Sequence, residues 1–269
     1  MMKCSIAVAY PEALATAPFL YRGDWKEIIE QAHGSGFGAV ELHIRRPDSV
    51  RAEELLHFAG GLGMKFSGVA TGMSYTMDGL SLTDEREEGR VAAQRRLFQY
   101  VDLAAGLGCC VILGSIRGNL TADRGKSLGQ FEESLAVVLD YAAKRKVTVC
   151  IEAINRYENN FLNTVCEVED LIRRMGRDNL KIHADVFHMN IEETSFEQAV
   201  KDGGEDIGYV HLADNNRKYL GAGMVDFERI VGCLKAAGYD GYLSLECLPL
   251  PDARTAADLS FRVMKRLCG

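Results

Sequence analysis

Eight short apolar runs alternate with amphipathic stretches along the whole chain, and that alternation sharply limits the folds open to it. The runs are CSIAVAY (4–10), AVELHI (39–44), KFSGVAT (65–71), CVILGSI (110–116), VTVCIEAI (147–154), LKIHADVF (180–187), IGYVHLAD (207–214) and GYLSLEC (241–247). Helical patterns over residues 25–33, 85–107, 131–144, 165–175, 227–237 and 256–267 separate them. Strands that alternate with helices run parallel. Over 269 residues, eight units come to about 34 residues each, an ordinary strand-plus-helix size. Eight such units close into a (β/α)8 TIM barrel more readily than they form an open, doubly wound sheet. No GxGxxG follows the first run, which weakens a dinucleotide-binding version of the open sheet. No Pro/Ser-rich linker divides the sequence, so one domain over residues 1–269 is expected. Thr83 and Ser195 read as helix N-caps, the second opening a capping box with Gln198. Gly36, Gly63, Gly108 and Gly238 stand where C-cap glycines belong.

Side chains alternate between the two faces of a strand. The fifth run therefore sets Val147, Val149 and Ile151 against Thr148, Cys150 and Glu152. The sixth sets Leu180, Ile182 and Ala184 against Lys181, His183 and Asp185. The seventh sets Val210 and Leu212 against Tyr209 and His211, and the eighth sets Leu243, Leu245 and Cys247 against Tyr242, Ser244 and Glu246. The apolar sets should pack on helices and the mixed sets should face the barrel interior. Each mixed set ends in Glu, Asp, His or Glu near the C-terminal end of its run, where barrel enzymes carry their sites. Any one of these residues could be an N-cap or an ion-pair partner. Their recurrence on four consecutive strands is what marks Glu152, Asp185, His211 and Glu246. Three carboxylates buried together are costly without a cation. Three oxygens and one nitrogen suit Mn²⁺, Mg²⁺ or Co²⁺, and the imidazole also admits Zn²⁺. One divalent ion is expected, Mn²⁺ first. His183, one step below Asp185, is expected to pack or to support a ligand.

The net charge of −7, with no Lys/Arg block, argues against a nucleic-acid backbone as partner. No apolar run approaches the roughly 20 residues that span a bilayer. The first residues read as a strand rather than a signal peptide, and the eight cysteines form no CxxC pair. A cytoplasmic protein with reduced cysteines is expected, as a dimer or tetramer if it self-associates.

The segments IEAINRYENN (151–160), HADVFHMNIEE (183–193), HLADNNR (211–217) and LSLECLPLP (243–251) resemble the ketose 3-epimerases, the D-tagatose and D-psicose enzymes among the xylose-isomerase-like barrels. The resemblance covers roughly residues 147–251, and the first half matches in layout only. It implies that Glu152, Asp185, His211 and Glu246 hold a metal, and that Glu152 and Glu246 are also the acid/base pair. It implies further that Glu158, His188 and Arg217 hold a sugar near C1 to C3. The implied reaction inverts C3 of a free ketose through a cis-enediolate. One carboxylate takes the C3 proton and the other returns it on the opposite face.

In the first half, Glu41 and His43 share an inward set, and either pocket lining or a buried ion pair accounts for them. Residues 71–83 form either a mouth loop or a plain connection. Other reactions of the same barrel class stay open: a ketopentose-phosphate epimerase, an aldose–ketose isomerase or an inosose-type dehydratase. A phosphate would need a site such as GSIRGN (114–119), with Arg117. A DNA-repair endonuclease needs more histidines than the six present. A non-enzymatic binding protein is disfavoured by the intact carboxylate pair.

Overall fold

The computed structural model describes residues Met1–Gly269. Its strands are β1 (Lys3–Ala9), β2 (Ala39–His43), β3 (Lys65–Ala70), β4 (Cys110–Leu113), β5 (Val149–Glu152), β6 (Leu180–Asp185), β7 (Ile207–Leu212) and β8 (Tyr242–Leu245). All pair in parallel in sequence order, and β8 returns to β1 with Ile6 opposite Leu245. The sheet is thus a closed eight-stranded barrel, with helices between the strands as the alternation predicts. A two-residue strand, Tyr21–Arg22, pairs with Val8 and Ala9 of β1 beyond the point where β8 ends.

The helices are α1 (Trp25–Gly34), α2 (Ala52–Gly61), α3 (Gly72–Asp78), α4 (Glu87–Leu107), α5 (Arg124–Ala143), α6 (Val165–Met175), α7 (Val186–Glu192), α8 (Phe196–Gly203), α9 (Phe227–Ala236) and α10 (Ala253–Cys268). Several boundaries differ from the sequence reading. Thr83 caps nothing: α4 begins after Arg86, and Thr83 instead bonds Ser81. Helix α5 starts seven residues before Phe131, because Asp123 accepts from the Lys126 N–H and sets the first turn there. Of helix α2 only the closing Gly63 was anticipated, and the 71–83 segment holds α3 rather than a loop. Ser195 does cap α8 by accepting from the Gln198 N–H, but the Gln198 side chain reaches Asp202 and leaves the box half made. The full capping box is at α6, between Thr164 and Glu167.

The two strand faces separate as expected. Val149, Ile151, Leu180, Ile182, Ala184, Val210, Leu212, Leu243, Leu245 and Cys247 belong to the large apolar layer between sheet and helices. Burying one such Leu, Ile or Val stabilises the fold by about 1.5–3 kcal/mol. Inside the barrel, Ala70, Ile112, Cys150 and Tyr209 form a small separate core. A hydroxyl chain crosses that core, Ser5 to Ser67 at 2.6 Å and Ser67 to Tyr209 at 2.7 Å. Above this floor the interior turns polar, and the site begins.

Candidate functional site

Four neighbouring strands deliver the four marked residues to one end of the barrel. Glu152 closes β5, Asp185 closes β6, His211 sits one residue before the end of β7, and Glu246 follows β8. In the register Glu152 lies opposite His183, Asp185 opposite His211, and His211 opposite Ser244. The Glu246 N–H donates to the Leu212 carbonyl at 3.1 Å. Candidate ligand atoms of Asp185, His211 and Glu246 all lie within 4.8 Å of one another. Glu152 stands within the same reach of Asp185 and His188, and of His183 and His211. A divalent cation can be held there. Room for Glu152 comes from Gly114 at the end of β4, where a Cβ would lie 2.8 Å from its Oε2.

Asp185 divides its two oxygens between a helix cap and the cluster. Asp185 Oδ1 caps α7 by accepting from the Phe187 N–H at 2.8 Å. Its Oδ2 faces the cluster, 3.6 Å from His188 Nε2 and 3.8 Å from His211 Nδ1. Glu41, fully buried on β2, accepts from His211 Nε2 at 2.6 Å and from His43 Nε2 at 2.7 Å. That bond fixes Nε2 of His211 as the proton-bearing nitrogen and turns Nδ1 towards Asp185 and Glu246. Nδ1 has no hydrogen-bond partner in the protein. An orphaned imidazole nitrogen among carboxylate oxygens is the geometry of a metal ligand. His183 is fully buried beneath, with neither ring nitrogen partnered, and Nδ1 is 3.9 Å from Glu152 Oε1.

The flanking polar groups come from loops. Arg217 lies in left-handed backbone (φ 59°), with its guanidinium 4.3 Å over the Phe187 ring. It donates to Asp185 Oδ2 at 3.1 Å and to Glu246 Oε2. Buried Asp214 shapes its loop by accepting from the N–H groups of Asn215, Gly221 and Val225. Asn155 donates to Glu158 at 3.0 Å and pairs with His188 Nδ1 at 2.6 Å, so Glu158 and His188 are linked through it. Arg117 is also fully buried, but it points elsewhere. Its guanidinium donates to the carbonyls of Glu152, Phe161 and Leu162, which spends it on holding β5 and the loop after it.

The electrostatics follow from this packing. Burial, and then the charge of Glu246, push the Glu152 carboxyl up to about 8. Burial opposes ionisation of Asp185 too, but Arg217, His188 and His211 outweigh it and hold that carboxyl well below its usual range. For Glu41 the imidazoles of His211 and His43 likewise overcome burial. His211 is held well above the usual imidazole range because Glu41 and Glu246 outweigh its desolvation. Burial, and then the His211 charge, drive His183 the other way, so it stays neutral.

A cleft of about 760 Å³, including space open to solvent, lies over the cluster. Of the seven residues singled out for metal or sugar, Glu152, Glu158, His188, His211, Arg217 and Glu246 line it, while Asp185 sits buried behind them. The rest of its lining includes Leu14, Ala17, Phe19, His43 and Met73. Glu41 and His43 combine the two alternatives: they are hydrogen-bonded to each other, and His43 lines the pocket. The segment before Tyr21 escaped the sequence reading because it has no period. Asn155 escaped it too, although it stands three residues after Glu152 in the same motif.

A sequence profile of the xylose isomerase-like TIM barrel family matches residues 29–267. The ketose 3-epimerase of Arthrobacter globiformis is 30% identical over 222 residues, 81% of this chain and 75% of that protein. The L-ribulose 3-epimerase of Mesorhizobium japonicum is 33% identical over 230 residues, 84% of this chain and 76% of that protein. The D-psicose 3-epimerase of Clostridium cellulolyticum, solved with D-tagatose, has the same fold, with a TM-score of 0.84 at 23% identity over 99% of each chain. The chain belongs to the xylose isomerase-like TIM barrel family, within its branch of ketose 3-epimerases.

Proposed function

We propose that this chain is a metal-dependent epimerase that inverts C3 of a free ketose through a cis-enediolate, with Glu152 and Glu246 as opposed acid and base. The observation that carries the reading is the placement of these two glutamates at the ends of β5 and β8, with Asp185 and His211 on the strands between them. Glu152, Asp185, His211 through Nδ1, and Glu246 would hold the ion, Mn²⁺ by first choice and Mg²⁺, Co²⁺ or Zn²⁺ by chemistry. A divalent ion there supplies Lewis acidity that makes the proton next to the ketone removable. Glu246 and Glu152 exchange the C3 proton from opposite faces, each serving as base for one epimer and acid for the other. Arg217 and His188 donate towards the sugar oxygens that gain charge, and Glu158, through Asn155, orients His188. A free sugar fits better than a phosphate, because the Arg117 guanidinium is taken up by backbone carbonyls.

The test is proton exchange. Candidate ketoses and their phosphates are incubated with the protein and Mn²⁺ in D₂O, and the labelled carbon is located by NMR. Deuterium at C3 of a free ketose is the expected result. Label confined to C1 or C2 would mean aldose–ketose isomerisation, and turnover of phosphates alone would sink the free-sugar reading.

Glu41 gives a second expectation. In Glu41→Gln the side chain keeps its size but can donate to His211 Nε2, which favours the tautomer with the proton on Nδ1. Metal affinity, measured by calorimetry, should fall about 10- to 100-fold. Unchanged affinity would show that Glu41 does not orient the ligand.

A further inference from the structure

We propose that Cys4 and Cys268 are an oxidisable thiol pair, which a low-molecular-weight disulfide converts to a disulfide bond that ties β1 to α10. This modification site lies at the far end of the barrel from the cleft and stands independently of the ketose reading.

The fold brings the two sulfurs together from elements that are remote in sequence. Cys4 is the second residue of β1, held opposite Leu243 of β8 by the ladder that closes the barrel. Cys268 is the last residue of α10, which packs against β1. Lys235 of α9 donates to the Leu267 carbonyl at 2.7 Å, which ties down the last turn of α10 beside Cys268. Cys4 Sγ donates to Cys268 Sγ at 3.4 Å across a sequence separation of 264 residues. The sulfurs need to close by about 1.4 Å to reach the S–S bond length of about 2.0 Å. Cys4 is half-buried and Cys268 is buried. A buried cysteine alone would act as a small apolar side chain; these two instead meet each other.

The two thiols are unequal. The Cys4 S–H, and then the Lys235 charge, outweigh burial and hold the Cys268 thiol below its ordinary range. The same contact, and then burial, push the Cys4 thiol up. Cys268 is thus the attacking sulfur and Cys4 the resolving one. The Cys268 thiolate attacks one sulfur of the small disulfide, whose S–S bond breaks and whose other half leaves as a thiolate. Cys4 then gives up its proton, its sulfur attacks Cys268 Sγ, and the second half leaves. Two cysteine thiols are oxidised to one disulfide, and the small disulfide is reduced to two thiols. Because Cys4 already touches Cys268, the second attack outruns accumulation of the mixed disulfide. The crosslink restricts the unfolded chain far more than the fold, in which the two residues are already in contact.

The test equilibrates the protein with oxidised glutathione, alkylates the remaining thiols and maps the digest by mass spectrometry. Melting temperature is read before and after reduction with dithiothreitol. The expected result is a linked Cys4–Cys268 peptide pair and a melting temperature raised by about 10 °C, both reversed by dithiothreitol. Cys4→Ser and Cys268→Ser should each lose the linked pair and the rise. A lasting glutathione cap on Cys268, linkage through other cysteines, no reaction at either thiol, or a linked pair without a rise would each overturn the proposal. The wild-type map and melting curve decide the point even where a serine variant does not fold.

Discussion

Glu246→Gln should lose about 10³-fold or more in the rate of C3 inversion while still exchanging the C3 proton of one epimer with solvent. Inversion by two bases needs both faces. With Glu246 replaced, Glu152 can still take a proton from the epimer whose C3–H faces it, and can only return it to the same face. Deuterium therefore enters without a change of configuration. Glu152→Gln should show the mirror behaviour, exchanging only the other epimer. The amide keeps an oxygen donor for the metal, so metal content should fall less than activity, which elemental analysis of the purified variants would check. A single variant that abolishes exchange from both epimers, with metal retained, would mean that one glutamate does all the proton transfer.

Arg217 bears on how that experiment is read. It contacts Asp185 and Glu246 together and belongs to a loop organised by Asp214 rather than to a strand. Removing the Glu246 charge leaves the guanidinium with Asp185 alone, so some of the loss will come from its altered position. The exchange pattern separates the two effects, because a displaced Arg217 slows both epimers whereas a missing base spares one.

How much of this was legible beforehand depended on periodicity. Alternation within β5 to β8 told inward residues from outward ones, and that was enough to place Glu152, Asp185, His211 and Glu246 at one end of the barrel. Helix α6 was also plain from its apolar period over 165–175, although the caps at Thr164, Glu167 and Gly176 were not picked out. What could not be read was fixed by tertiary contact. The bridge from Glu41 to His211 spans 170 residues, and nothing local to Glu41 announces it. Asp185 was read as either cap or ligand, yet its two oxygens divide those tasks, since β6 runs directly into α7. Arg117 was named as a phosphate contact only on the strength of the GSIRGN motif, and its full burial against three carbonyls was invisible there. The wall of the cleft around Phe19 comes from a stretch with neither strand nor helix period, the kind of segment that only packing defines.

Metal binding should be steeply dependent on pH, and the dependence has a calculable sign. In the metal-free protein Glu152 carries a proton up to about pH 8 and His211 carries one to well above its ordinary value. The ion needs both groups deprotonated, so each uptake event below pH 8 releases about two protons, and about one above it. Affinity should thus rise roughly a hundredfold per pH unit below 8 and about tenfold per unit beyond. The same groups set the stability of the metal-free fold. Both are raised above unfolded values of about 4.3 and 6.5. Their contributions are full at lower pH and are lost as pH climbs, for Glu152 between about 4.3 and 8 and for His211 above about 6.5. Asp185 and Glu41 are lowered and act oppositely, their contributions fading only as pH falls below the usual carboxylate range. His183 and His188 are also lowered, so stability falls as pH drops below about 6.5. The metal-free melting temperature should accordingly peak at about pH 6.5 and drop towards pH 8, while the Mn²⁺-loaded protein holds its stability over that upper interval. Calorimetry in buffers of different ionisation enthalpy counts the protons, and melting curves with and without Mn²⁺ give the gap. A metal-induced rise in melting temperature that stays constant from pH 5 to 8 would mean that neither Glu152 nor His211 holds a proton that the ion must displace.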